Sequence, residues 1–122
     1  MTGQEVLRPW IREEVINALR DISVGDPAKW MQDDPVEIDY VVHLFFDDND
    51  LVTNPDSLIG DVLMGPAESD AIKQFAFALD NLISELGDSN TKDYYTHPNW
   101  PDVRRHASSA YSKIIENENQ AR

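Results

Sequence analysis

The sequence predicts an all-α fold, a compact bundle of five or six helices in a single domain over residues 1–122. Three observations support this prediction. Apolar residues recur at spacings of three and four along most of the chain. Proline or a capping residue precedes several of these stretches, and glycine follows some of them. A chain of 122 residues, 41% of them hydrophobic, can bury one modest core but is short for two domains.

The first helix is predicted to begin near Pro9. One amphipathic stripe follows, formed by Ile11, Val15, Ala18, Leu19 and Ile22. The stretch "SVGDP" interrupts this pattern. After it, Asp26 can cap a short helical turn that begins at Pro27 and carries Trp30 and Met31.

The next helix has the best-marked start. In "DPVE", Asp34 can act as N-cap, Pro35 as the first helical residue and Glu37 as the reciprocal partner of a capping box. The residues that follow are rich in β-branched and aromatic side chains and also suit a buried strand. We favour a helix, because an isolated strand would leave its backbone groups unpaired and no convincing second strand exists. An α+β fold with a strand over residues 38–46 is the alternative.

Two more helices follow the acidic stretch. After "TNP", a short helix is predicted with Asn54 as cap and Pro55 as first residue. Its buried residues are expected to be Leu58, Ile59, Val62 and Leu63. The longest helix is predicted from about Pro66 to Leu86, and Gly87 is placed to close it. Its apolar face contains Ile72, Phe75, Ala76, Leu79, Leu82, Ile83 and Leu86.

The last helix is predicted after a polar loop, "GDSNTKDYYTHPN". One face of this helix is shared by Trp100, Val103, Ala107, Ala110, Tyr111 and Ile114. The polar tail over residues 117–122 is expected to fray.

The net charge of −13 is concentrated in the middle of the chain. Residues 1–29 and 73–122 each sum to −1, whereas residues 30–72 hold eleven acids and no lysine or arginine. Such a segment repels the phosphates of nucleic acids and anionic membranes, so direct binding to either is not expected. Its field would speed the encounter with a cationic partner.

We therefore expect an acidic face over residues 33–70 that binds a basic protein partner. The expected partner-binding residues are Asp33, Asp34, Glu37, Asp47, Asp48, Asp50 and Asp56. Tyr40 or Phe46 would anchor the contact if either faces outward. Small acidic antitoxins and immunity proteins, which mask basic partners such as nuclease toxins, are similar in size and charge. The predicted function is a non-enzymatic acidic binding module of this kind.

The alternative function is a metal-dependent enzyme. On a helix, Asp39, His43 and Asp47 lie four residues apart and would project along one side. These residue types can bind a divalent transition metal, and helical bundles do build metal centres from inward-facing ligands. The Glu-x-x-His pairs of di-iron bundles are absent, however, and the chain has three histidines in all. The competing interpretation is a partly buried His43 bonded to an aspartate in a protein without a cofactor.

Other features of the sequence exclude further classes of function. No G-x-S-x-G, H-E-x-x-H or glycine-rich phosphate loop is present. The absence of cysteine excludes disulfides and thiolate chemistry and fits a reducing compartment. The sequence has no signal peptide pattern and no apolar run long enough to cross a bilayer. We expect a soluble cytoplasmic protein. A structural homo-oligomer, with the acids serving solubility, is a third possible function.

The stretch "VVHLFFDDNDL", together with "NPDSLIG" and "HPNWPDVRRHA", resembles small acidic bacterial proteins that have no assigned activity. The resemblance covers residues from about 38 to 111. It implies a small bacterial domain, and it implies neither a substrate nor a catalytic residue.

Overall fold

The chain folds into α-helices packed around one apolar core. A computed structural model describes residues 6–47, 51 and 53–120, without the side chain of Asp47. Its helices are α1 (Pro9–Val24), α2 (Pro27–Trp30), α3 (Val36–Val42), α4 (Pro66–Leu86), α5 (Thr91–Tyr95) and α6 (Trp100–Gln120). A π-helical turn (His43–Asp47) follows α3, and a 3-10 turn (Pro55–Leu58) precedes α4. The all-α prediction is confirmed, and the alternative of a strand over residues 38–46 is wrong.

The three long helices, α1, α4 and α6, form the framework. Helix α6 packs against both α1 and α4. Near the end of α6, Glu118 accepts a hydrogen bond from Arg12 at the start of α1, and Asn117 donates one to Glu68 at the start of α4. Both α1 and α4 therefore run antiparallel to α6. No helix formed by the described residues is long and apolar enough to cross a membrane.

Aromatic side chains join the shorter elements to this framework. Trp30 of α2 packs on Trp100 of α6 with ring centroids 5.5 Å apart. Phe45 of the π-helical turn packs on Phe75 of α4 with centroids 5.0 Å apart. All four side chains are fully buried, and burial of one large apolar side chain stabilises the fold by about 1.5–3 kcal/mol. The core thus anchors α2 and the π-helical turn to the long helices.

Helix α3 starts one residue later than the sequence predicts. Its N-cap is Pro35, and the Asp34 carboxylate accepts a hydrogen bond from the backbone N–H of Val36 at 3.0 Å. Glu37 extends toward Lys29 instead of back toward the helix start. The predicted capping box is therefore not formed, although Asp34 still satisfies one of the free N–H groups.

The short helix predicted after Asn54 is only one 3-10 turn, and the Asn54 side chain does not cap it. Ile59, which is predicted to be buried, is 38% exposed. The chain leaves the helical path at this point because Gly60 adopts a φ of 92° and Ile59 forms an isolated bridge with Leu63.

The polar loop of the prediction contains a helix, α5 (Thr91–Tyr95). The backbone N–H of Asn90 donates to the carboxylate of Asp93 at 3.2 Å, as in a capping box. Tyr94 is buried in the core. The spacing of Asn90 and Asp93 is the sequence signal that would have revealed this helix.

The expected fraying of residues 117–122 does not hold for residues 117–120, because α6 continues to Gln120. Asn117 and Glu118 hold this end of α6 through hydrogen bonds to buried charged side chains. Apolar periodicity does not reveal such polar contacts, which explains the error.

Gly25 ends α1 in the left-handed region with a φ of 65°. A Cβ atom at this position would lie 2.8 Å from the guanidinium of Arg104, which reaches the last carbonyls of α1. We expect Gly25→Ala to lower the free energy of unfolding by about 1–2 kcal/mol through backbone strain. Displacement of Arg104 adds to this loss. Urea denaturation measures the total.

Two other glycines provide controls for this prediction. Gly87 has open space around a Cβ but combines a φ of 55° with a ψ of −130°, outside the αL region of Gly25, so Gly87→Ala should show a strong backbone effect without a steric one. Gly65 has an extended φ of 178° and also has open space, so Gly65→Ala should change stability little. If Gly25→Ala were no more destabilising than Gly65→Ala, the explanation would be wrong.

Candidate functional site

Cations from outside the acidic segment neutralise much of it. Within the described ranges, five cations pair with six of the eleven acids of residues 30–72. The pairs are Arg8–Asp61, Arg12–Glu68, Lys29–Glu37, Lys73–Asp56, Lys73–Asp70 and Lys92–Asp33. The acidic face expected over residues 33–70 is therefore compensated in part, because the fold brings cations from both ends of the chain against the middle.

The predicted partner-binding residues that the structure describes lie on two separate elements. Asp33, Asp34 and Glu37 lie together around the start of α3. Asp56 lies on the 3-10 turn before α4 and accepts a hydrogen bond from Ser69 at 2.5 Å. This bond, together with the neighbouring Lys73, holds the pKa of the Asp56 carboxyl below its usual range. Asp56 is thus engaged within the fold and separate in structure from the α3 residues.

The predicted metal ligands Asp39, His43 and Asp47 span the junction between α3 and the π-helical turn. Asp39 and His43 keep the i, i+4 spacing of an α-helix, because the backbone N–H of His43 donates to the carbonyl of Asp39. His43 is exposed, contrary to the expectation of partial burial. The side chain of Asp47 lies outside the described residues, as do Asp48 and Asp50. In the part of the chain that is described, no group of three or more acids and histidines could hold a metal ion.

The outer side of α3 exposes apolar side chains between carboxylates. Val36 is 64% exposed, and Tyr40, one turn later, is 46% exposed. Glu37 and Asp39 lie on the two flanks of this pair. We name these four residues the α3 face. Phe46, the other predicted anchor, packs against the core and is only partly exposed.

Two carboxylates and one ammonium group act on the hydroxyl of Tyr40. Burial raises the pKa of Tyr40, and the carboxylates of Glu14 and Asp21 raise it further. Lys29 opposes them, but its ammonium group is shared by Asp21 at 2.7 Å and Glu37 at 3.5 Å. One ammonium against three carboxylates leaves the surroundings of Tyr40 negative.

A cleft of about 110 Å³ opens beside the α3 face, between α3 and the end of α4. Its apolar lining comes from Ile38 and Val42 of α3 and Ile83 of α4. Asp39 and Asp88 also line it, and both are exposed. We name this feature the Asp39–Asp88 cleft. Asp39 is the residue that the cleft shares with the α3 face.

A comparison with protein-family models finds a match over nearly the whole chain. A family model described as a domain of unknown function, DUF7945, matches residues 7–122, which include all six helices. The chain belongs to the DUF7945 family. The expected membership of a family without an assigned activity is confirmed. No curated protein and no solved structure matches the chain.

The DUF7945 chain also contains a buried ion cluster that the sequence did not indicate. Arg12 is 3% exposed and donates two hydrogen bonds to the fully buried carboxylate of Glu68, at 2.7 and 2.9 Å. Arg12 also donates to Glu118 at 2.7 Å and to the carbonyl of Val62 at 3.0 Å. Burial alone would lower the pKa of Arg12, but the hydrogen bonds to Glu68 and Glu118 raise it above its ordinary value.

The carboxylate of Glu68 is fully satisfied within the DUF7945 fold. Besides Arg12, it accepts from the backbone N–H of Met64 at 3.0 Å and from the amide of Asn117 at 2.7 Å. Each oxygen therefore has two donors. A carboxylate so satisfied is poorly suited to proton transfer or metal binding, and we assign the cluster a structural role.

Proposed function

We propose that the protein is a non-enzymatic binding module that holds a basic protein partner on its α3 face. One observation carries the proposal, the exposure of Val36 and Tyr40 between the carboxylates of Glu37 and Asp39. The opposite side of the same helix is buried at Ile38. An exposed aromatic side chain rimmed by charge is the composition that contact surfaces favour.

The chemistry of this face suits arginine or lysine. The ring of Tyr40 offers a face for a cation, and neighbouring carboxylates can accept its hydrogen bonds. The negative surroundings of Tyr40 would raise the rate of encounter with a basic protein. Val36 adds apolar area at the centre of such a contact.

The internal ion pairs narrow the surface that a partner would contact. Six acids of the middle segment form ion pairs within the fold, so we expect a local contact around α3. Masking of a basic partner, as antitoxins and immunity proteins do, is the more specific form of the proposal. We also propose that the protein acts in the cytoplasm.

Selection of a displayed random-peptide library on the immobilised protein tests this proposal. We expect enrichment of peptides that combine arginine or lysine with an apolar residue. Tyr40→Ala should weaken the selected peptides about 10- to 30-fold, since truncation of an aromatic hot spot typically costs about 2 kcal/mol. Binding should also weaken as salt concentration rises.

Phe77→Ala is the matched control, because Phe77 is 68% exposed on α4, away from α3. It should leave peptide binding unchanged. Selected peptides without basic residues, or peptides equally affected by both substitutions, would show that the α3 face is not the binding surface.

A further inference from the structure

We infer that the Asp39–Asp88 cleft is a socket for one lysine or arginine side chain of the partner. The inference rests on the proposed function and adds its residue-level chemistry. The two carboxylates would hold the cationic group, and the apolar lining would hold the aliphatic stem.

The two carboxylates come from separate elements and converge on one residue. Asp39 lies on α3, and Asp88 lies in the turn after α4. Both residues line the cleft together with Tyr94. Burial raises the pKa of Tyr94, and the charges of Asp88 and Asp39 raise it further. Among the residues that the structure describes, neither carboxylate has a hydrogen-bond or ion-pair partner. Their charge is available to a ligand.

The tyrosine and serine hydroxyl groups that line the cleft already donate their hydrogen bonds to backbone carbonyls. The hydroxyl of Tyr94 donates to the carbonyl of Gly87 at 2.6 Å, and that of Ser89 donates to the carbonyl of Leu86 at 2.6 Å. The side-chain oxygens lining the cleft can therefore only accept. Tyr94 is 2% exposed, and its oxygen retains acceptor capacity. A ligand that complements this lining must donate hydrogen bonds, as ammonium and guanidinium groups do.

The end of α4 also favours a cation. Helix α4 has 21 residues and ends at Leu86, so its C-terminal carbonyls carry partial negative charge beside the cleft. Asp88 adds a full negative charge at this end, which is unfavourable unless a positive charge lies nearby. A bound cation would relieve this repulsion.

The size and lining of the cleft match a side chain. Its volume of about 110 Å³ is well below the range of about 300–1,000 Å³ typical of small-molecule sites. Ile38, Val42 and Ile83 would cover the aliphatic stem of a lysine or arginine, whose charged head then reaches the carboxylates. The cleft thus offers both parts of such a side chain a matching surface.

A titration monitored by amide NMR tests the inference with defined probes. The probes are N-acetyl-lysine and N-acetyl-arginine N-methylamides, with the norleucine derivative as the uncharged control. We expect saturable shifts of the amide signals of residues 87–89 with both cationic probes and none with norleucine. The double variant Asp39→Asn/Asp88→Asn should weaken probe binding at least tenfold while retaining the spectrum of the folded protein.

Matched variants separate this socket from general attraction by an acidic protein. Glu13→Gln/Asp80→Asn also removes two negative charges, but from exposed positions on α1 and α4, and should leave probe binding unchanged. Equal weakening by both double variants would overturn the inference. Shifts of the same amides by calcium or magnesium chloride, without a response to the probes, would make the cleft a metal site and also overturn it.

The probe titration and the peptide selection can fail separately. Tyr40→Ala alters the α3 face but not the lining of the cleft, so it should leave the probe titration unchanged. Failure of the peptide selection with an intact probe titration would reject the partner and retain the socket. Peptide binding that depends on Tyr40 but not on Asp39 and Asp88 would retain the partner and reject the socket.

Discussion

Glu68→Gln is expected to lower the free energy of unfolding by about 3–5 kcal/mol, because it leaves the buried guanidinium of Arg12 without its bidentate partner. This is a large part of the total of about 5–15 kcal/mol typical of a domain. The change keeps the volume of the side chain, so the loss reports charge and hydrogen bonding. Urea denaturation followed by circular dichroism measures it.

A double-mutant cycle shows whether the two charges act as a pair. Arg12→Met and Glu68→Leu should each cost about as much as Glu68→Gln, since each single change leaves a buried charge. Arg12→Met combined with Glu68→Leu should recover part of the stability, because an apolar pair replaces the buried ions. The recovery is expected to be incomplete, since Val62 and Met64 lose hydrogen-bond partners.

The exposed pair Arg105–Asp102, 3.1 Å apart, supplies the control for this cycle. Arg105→Met should change stability by about 1 kcal/mol or less, as exposed ion pairs do. Simply additive losses in the double variant at Arg12 and Glu68 would contradict the role of a coupled ion pair.

Alanine substitution of the three tryptophans should separate core from surface by several kcal/mol. Trp30 and Trp100 are fully buried against each other, and each substitution should lower the free energy of unfolding by about 3–5 kcal/mol. Trp10 is 61% exposed at the start of α1, and Trp10→Ala should stay within about 0.5 kcal/mol of the wild type.

Chemical denaturation of the three variants and of the double variant at Trp30 and Trp100 provides the measurement. The double variant should lose less than the sum of the single losses, because the two side chains share one contact. A loss for Trp10→Ala as large as that for Trp100→Ala would mean that the description of the core is incorrect.

Helices α1 and α4 could be predicted from the sequence because local signals determine their bounds. Pro9 and Pro66 begin α1 and α4, and Gly25 and Gly87 end them. Apolar spacing then identifies the buried side of each helix without knowledge of its neighbours. The short elements around residues 55–63 were harder, since a 3-10 turn and an isolated bridge leave no periodic pattern.

The ion pairs could not be predicted, because they join residues distant in sequence. Arg12 and Glu68 are separated by 56 positions, and their attraction leaves no local pattern. A weaker signal was present, since Arg12 precedes Val15 by three residues and therefore lies on the apolar stripe of α1. A charge counted along the chain says nothing about the cations that the fold places beside it.

The candidate site was accessible to sequence reasoning only in part. Tyr40 was a predicted contact residue, and its exposure on α3 is consistent with that role. Asp88 gave no signal of its own, because its importance depends on the approach of α3 to the end of α4. The π-helical turn (His43–Asp47) also gave no sequence signal.

The contact between Arg12 and Glu118 bears on how the chain acquires its structure during synthesis. Arg12 emerges from the ribosome early, whereas Glu118 lies 106 positions later. Until then, an emerging α1 carries a cation that cannot be enclosed without a large desolvation penalty. We expect N-terminal fragments to remain loosely organised and the packed state to form in one cooperative step once α6 has emerged.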